Sequence, residues 1–177
     1  NTEGANLYAK WNPIVYSVVY NANGGSSAPA PNAAAYDVEF VIPSAEPVRA
    51  GYSFLGWALS PSAGTTDFIT GQSVTNLTIN NGATINLYAI WLPNTNTTYK
   101  VEHYQENLTG GYTLYQTTTQ IGTTAAIGVA IYKTYQGFVS NTTYPSSLSS
   151  GIIIGNGSLI LRVYYDRISY LISFNTN

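Results

Sequence analysis

With 177 residues the chain has room for one or two domains, each near the smallest size that folds around a core of its own. Only 8% of residues are charged and 14% are aromatic, with a net charge of −2, so there is no basic field for nucleic acid and no basic amphipathic face for a membrane surface. Cysteine is absent, which excludes a disulfide scaffold, a thiolate metal site and a thiol nucleophile. No apolar run approaches the roughly 20 residues that cross a bilayer as a helix, so this segment is not expected to insert in a membrane, and export would be directed by sequence outside it.

The polar positions are filled by Thr, Asn, Ser and Gly, not by the Glu, Lys and Arg that give helices their solvent face, while Tyr, Thr, Val and Ile favour strands. The expected fold is therefore mainly β, α+β at most. In chain order, Asn6-Leu7-Tyr8-Ala9-Lys10-Trp11 comes first and recurs almost unchanged as Asn86-Leu87-Tyr88-Ala89-Ile90-Trp91. After Pro13, Tyr16 to Tyr20 reads as a strand ending in Asn21-Ala22-Asn23-Gly24-Gly25, where Asn and Gly tolerate the positive φ of a tight turn. The Pro- and Ala-rich span 26–35 reads as a loop, and Tyr36 to Ile42 as a second strand. Gly51-Tyr52-Ser53-Phe54-Leu55-Gly56-Trp57 alternates with Tyr52, Phe54 and Gly56 on one face and Ser53, Leu55 and Trp57 on the other. Phe68 seats a short strand or turn, and Asn86 to Trp91 closes the unit.

Tyr99 to Gln105 is the next strand, with Tyr99, Val101, His103 and Gln105 sharing a face. A hairpin turn at 107–111 follows, then a Thr-rich strand from Tyr112 to Gln120. Ala125, Ala126, Val129 and Ala130 fall at helical spacing, making 123–131 the best helix candidate. Tyr135-Gln136-Gly137-Phe138 loosely echoes the Gly51-Tyr52 element, and Leu159 to Tyr165 is a last strand. Finally Tyr170-Leu171-Ile172-Ser173-Phe174-Asn175-Thr176-Asn177 echoes Tyr16 to Asn23. Residues 1–11 thus read as the last strand of a preceding repeat, 12–92 as one domain, 93–98 as a linker, 99–167 as a second domain and 168–177 as the first strand of a following repeat.

Three motifs in order, Tyr16 to Gly25, Ala50 to Trp57 and Leu87 to Trp91, resemble the Listeria–Bacteroides repeat, also known as the internalin B-repeat. Tyr99-Lys100-Val101-Glu102-His103-Tyr104 and Leu161-Arg162-Val163-Tyr164-Tyr165-Asp166 are similar to the mucin-binding-protein type repeats that accompany it. The resemblance implies two tandem β-grasp (ubiquitin-like) domains, with partial repeat strands at both termini, in an exported repetitive protein. Such repeats serve as stalks, spacers or adhesive modules, and they offer no catalytic set to carry over. B-repeats often have a charged surface, and this copy is nearly neutral.

The residues themselves offer little chemistry. His103, the one histidine, lacks a cysteine or an elbow serine to activate and reads as structural. Asp37 and Glu39 alternate on one expected strand and could bind Ca²⁺ or flank a glycosidic bond, but no third ligand or Asp-rich loop accompanies them, so they read as solvated. Lys10, Lys100 and Lys133 are the lysines from which a Lys–Asn isopeptide bond would start, each needing a buried acid beside it. Asn76, Asn96, Asn107, Asn141 and Asn156 head Asn-x-Ser/Thr sequons, which makes a glycoprotein conceivable.

The expected function is therefore that of a non-enzymatic, extracellular, cell-surface structural module without cofactor or metal, acting as stalk or filament subunit. Its partners are neighbouring copies or adjacent repeats, reached through the strands bearing Leu7, Tyr8, Trp11, Tyr170, Ile172 and Phe174. The alternative is an adhesin module in which some of the 16 tyrosines bind glycan or a host surface protein.

Overall fold

The structure, a computed structural model, describes residues 8–175, and every regular element among them is a strand. The chain divides into two compact units, the first made of residues up to Arg49 with Phe54–Leu92, the second of Ala50–Ser53 with the residues from Pro93 on.

In the first unit β1 (Val15–Asn21) pairs antiparallel with β2 (Asn32–Ala35) and parallel with the unit's last strand. Between them the chain makes β3 (Phe40–Val41), β4 (Tyr52–Ala58) and β5 (Ser73–Val74) before closing with β6 (Thr84–Pro93). The sheet order is β2-β1-β6-β4, and β3 and β5 form a small antiparallel ribbon. Alternation along β1 buries Tyr16, Val18 and Tyr20. These join Leu87 and Ala89 of β6, Trp57 of β4, and Ile42 and Val74 at the ribbon in one apolar core. The turn after β1 is pinned by Asn23, at φ 47°, whose amide nitrogen donates to the carbonyls of Ala89 (3.0 Å) and Pro61 (2.9 Å).

The second unit repeats this plan strand for strand. β7 (Thr97–Glu106) pairs antiparallel with β8 (Tyr112–Gly122) and parallel with the closing β12 (Ile160–Arg167). β10 (Phe138–Asn141) lies outside β12, while β9 (Ile127–Val129) and β11 (Ser150–Ile152) form the ribbon. The order β8-β7-β12-β10 is the order β2-β1-β6-β4 with every strand advanced by one unit. In both units the first and last strands are parallel neighbours at the centre, which demands a long crossover between them. Here that crossover carries the ribbon and both edge strands instead of a helix. The core gathers Tyr99, Val101, Leu161, Val163 and Tyr165 from the central strands with Ala130, Ile153 and Leu159.

Three local expectations are overturned. Span 123–131 holds no helix: Ala125 sits at φ 66°, and Gly128 lies so close under Ile153 and Tyr99 that a Cβ there would meet them at 3.0 and 3.1 Å, a fit made by a flat ribbon strand. The strand expected from Tyr36 to Ile42 is interrupted because Asp37 turns at φ 58°, leaving β2 within the Pro- and Ala-rich span and only Phe40–Val41 beyond. Strict alternation also fails in β4. Gly56, at φ 146°, rotates the chain so that Phe54 and Trp57 pack together, ring centroids 5.1 Å apart, when alternation puts them on opposite faces. Trp57 is fully buried while Ser53 and Leu55 face outward. As expected, Phe68 bridges to Trp57 as an isolated β-pair.

Candidate functional site

His103 is fully buried on the core face of β7, beside Val101. Its Nδ1 lies 3.0 Å from the Tyr165 hydroxyl and its Nε2 3.0 Å from Thr118 Oγ1. The Tyr165 oxygen also accepts the Lys133 N–H at 2.9 Å, and the tautomer of the neutral ring sets which way the bonds to Tyr165 and Thr118 run. Burial, and secondarily the positive charge of Lys133, hold the imidazole below its ordinary pKa. A neutral, doubly bonded, solvent-free ring is a structural histidine with no access for a substrate.

Asp37 and Glu39 are both exposed and share no strand face. Asp37 instead forms a reciprocal pair with Asn76: its N–H donates to Asn76 Oδ1 (2.6 Å), and Asn76 Nδ2 donates to Asp37 Oδ1 (2.9 Å). Both residues adopt positive φ, so the pair ties two turns together, a conformational role. Among the described residues no three His, Asp or Glu gather as a metal site. Lys10, Lys100 and Lys133 are exposed, and Glu102 with Arg162 (3.2 Å) is the ion pair the described residues form, so no lysine stands beside a buried acid as an isopeptide bond requires.

On the other face of the second sheet the tyrosines assemble. Tyr104 and Tyr164 stack at 5.0 Å, Tyr144 covers Tyr164 at 4.4 Å, and Tyr112 meets Tyr144 at 4.5 Å and Tyr164 at 5.1 Å. The Tyr112 hydroxyl donates to Asp166, which also receives both 3.0 Å bonds from Asn141 Nδ2. Burial first, then the bond to Asp166, pushes Tyr112 up to about 12. The rings pack on one another, with Tyr164 buried beneath part-exposed Tyr104, Tyr112 and Tyr144.

Of the sequons, Asn141 is half-buried and fully engaged. Asn76 is held by Asp37, and Asn107 accepts from Thr113 Oγ1 (2.9 Å). Asn156 is exposed and caps Ser158 N–H through Oδ1, and Asn96 is exposed in the turn before β7.

The terminal segments carry the most unusual feature. Residues 8–14 and 168–175 form no strand in the single chain, and Leu7 lies outside the described residues. Tyr8, Trp11, Tyr170, Ile172 and Phe174 are 85, 88, 79, 73 and 87% exposed. Yet the sequence echoes put Tyr170, Ile172 and Phe174 in the places of Tyr16, Val18 and Tyr20, which are 3, 0 and 5% exposed in β1. Likewise Tyr8, Ala9 and Trp11 stand in the places of Tyr88, Ala89 and Trp91, the last of which donates its indole N–H to Ala22 O at 3.0 Å. The two segments therefore bear the patterns of β1 and β6, the adjacent parallel strands at the centre of the first sheet. This was invisible in sequence, where the echo is plain but the burial of its first copy is not.

Residues 16–90 match the family model described as the Listeria-Bacteroides repeat domain, a match that covers the body of the first unit. No curated protein matches the chain. What ties the second unit to the first is its strand order.

Proposed function

From a first unit that is a Listeria-Bacteroides repeat domain, a kind of repeat that occurs in surface proteins, we propose that this chain is a non-enzymatic structural module of a repetitive extracellular protein, working as part of a stalk or filament. The observation that carries this reading is the coincidence of exposed Tyr170, Ile172 and Phe174 with the buried Tyr16, Val18 and Tyr20. Full burial of an Ile or Phe side chain is worth about 1.5–3 kcal/mol. Residues with the β1 pattern but no core around them are first-strand residues of a further repeat, either later in the same chain or completed by a neighbouring copy through strand addition. Tyr8 and Trp11 are read in the same way as last-strand residues of a preceding one.

In such an array each unit closes its own sheet around its own core. The mechanical work falls on the central parallel pairs, β1 with β6 and β7 with β12. Nothing in the sites described calls for a catalytic role, since the one histidine is sealed in the core and the acids are scattered or paired with amides. The adhesin reading has less support, because the clustered tyrosines pack their rings on one another, while Tyr8 and Tyr170 belong to the terminal segments. Electron microscopy of the whole surface protein is the test: the module reading expects a thin beaded rod with no saturable binding on a glycan array. A compact particle, or glycan binding lost on Tyr115→Ala, would overturn it.

A further inference from the structure

We propose that β8 is a self-pairing edge, through which a second copy of this chain adds antiparallel to the second unit's sheet about a twofold axis at Thr118. A strand at a sheet edge offers a row of free N–H and C=O groups, and proteins blunt such edges with short strands, charges, prolines or covering segments. β2 and β10 are four residues long, and β4 is covered in part by the bridge from Phe68 to Trp57. β8 has 11 residues, with neither a charge nor a proline from Tyr112 to Gly122. Among the described residues its backbone makes no hydrogen bond beyond those to β7. The one irregularity, the register shift opposite His103 and Tyr104, leaves Gln116 to Gly122 regular.

The sequence of that regular run identifies the occupant. Gln116-Thr117-Thr118-Thr119-Gln120 reads the same in both directions. Antiparallel pairing of two such strands about Thr118 sets Thr117 opposite Thr119 in duplicate and the backbones of Gln116 and Gln120 opposite each other, while the two glutamine side chains stay bonded within the unit. Thr–Thr pairs are favourable across strands, and with no charge in the run there is no like-charge repulsion against a second copy. Thr117, Thr119 and Ile121 face outward, and Ile121 is 64% exposed, so the pairing buries apolar surface the single chain leaves in water. Thr118 stays turned to His103. This contact is lateral and independent of the proposed end-to-end array.

The absence of cysteine makes a direct test available. Residues directly opposite in an antiparallel pair have Cβ atoms about 4.5–5.5 Å apart and diagonal ones about 7–8 Å, while a disulfide needs about 3.5–4.5 Å. On oxidation, a mixture of Thr117→Cys and Thr119→Cys chains is expected to form mixed disulfide dimers severalfold faster than either variant alone forms its own. Wild-type chain is expected to show a concentration-dependent dimer in sedimentation, and Thr117→Lys/Thr119→Lys to remain monomeric. A monomer at every attainable concentration overturns the proposal. So does equal cross-linking in the mixture and in each variant alone, which needs no charged variant to fold, or a dimer that survives the two lysines.

Discussion

The Tyr165 hydroxyl of β12 ties β7 to the segment between β9 and β10: its oxygen accepts the Lys133 N–H at 2.9 Å, and it lies 3.0 Å from His103 Nδ1. Burial disfavours the charged imidazolium whichever ring nitrogen faces Tyr165. The unfolded chain titrates near 6.5, and burial lowers the folded pKa, so below about 6.5 the unfolded state binds more protons. The stability that the neutral ring contributes is full above that pH and is lost as pH falls through the lowered folded value. With one histidine in the chain, a single imidazole resonance followed by NMR reads this without ambiguity. Its midpoint is expected below 6.5, and His103→Gln is expected to flatten the acid limb of stability; a midpoint at or above 6.5 contradicts the burial argument.

A second expectation concerns Gly56. A Cβ there would stand 2.6 Å from the Phe68 carbonyl oxygen and 2.9 Å from Thr66 Cγ2, at a φ of 146° that L residues avoid. That carbonyl accepts the Trp57 N–H at 2.8 Å, so the alanine strains the seat of the most buried large ring in the unit. Gly56→Ala should cost roughly 1–3 kcal/mol from the backbone alone, more if Trp57 shifts. Trp11, Trp57 and Trp91 all lie outside the second unit, so the urea midpoint read by tryptophan fluorescence reports on the first. An unchanged midpoint would refute the strain.

How much of this was legible beforehand follows from where the information sits. Alternation exposed the core face of β7, down to His103 beside Val101, because one face is buried and one is not. The repeated Asn-Leu-Tyr-Ala motif marked β6 and the terminal segment together. What failed were places where one residue overrides the pattern: Gly56 breaking the alternation of β4, Asp37 turning left in the expected second strand, and Gly128 making room for Ile153 where the alanines suggested a helix. The likeness of the two units was expected through the resemblance, which implied two tandem β-grasp domains, and not from shared motifs, since topology survives where motifs do not.

The sequons separate by what their amides already do. Asn141 Nδ2 is committed to Asp166 and Asn76 Nδ2 to Asp37, whereas Asn96 is exposed in a turn. Incubation of folded chain with an N-glycosylating enzyme and a lipid-linked glycan, followed by peptide mass mapping, should find modification at Asn96 ahead of Asn141. Equal occupancy of the two would show that these hydrogen bonds do not govern access.

The claim that matters most is that Tyr170, Ile172 and Phe174 are first-strand core residues of a further repeat. Extending the chain beyond Asn177 with the sequence of residues 24–92 supplies everything that β1 packs against in the first unit, in the register the echo sets. Amide hydrogen exchange of residues 170–174 should then fall to the rates of Tyr16 to Tyr20, whereas in the present chain they should exchange freely. Free exchange in the extended chain, alongside a protected β1, would contradict the account.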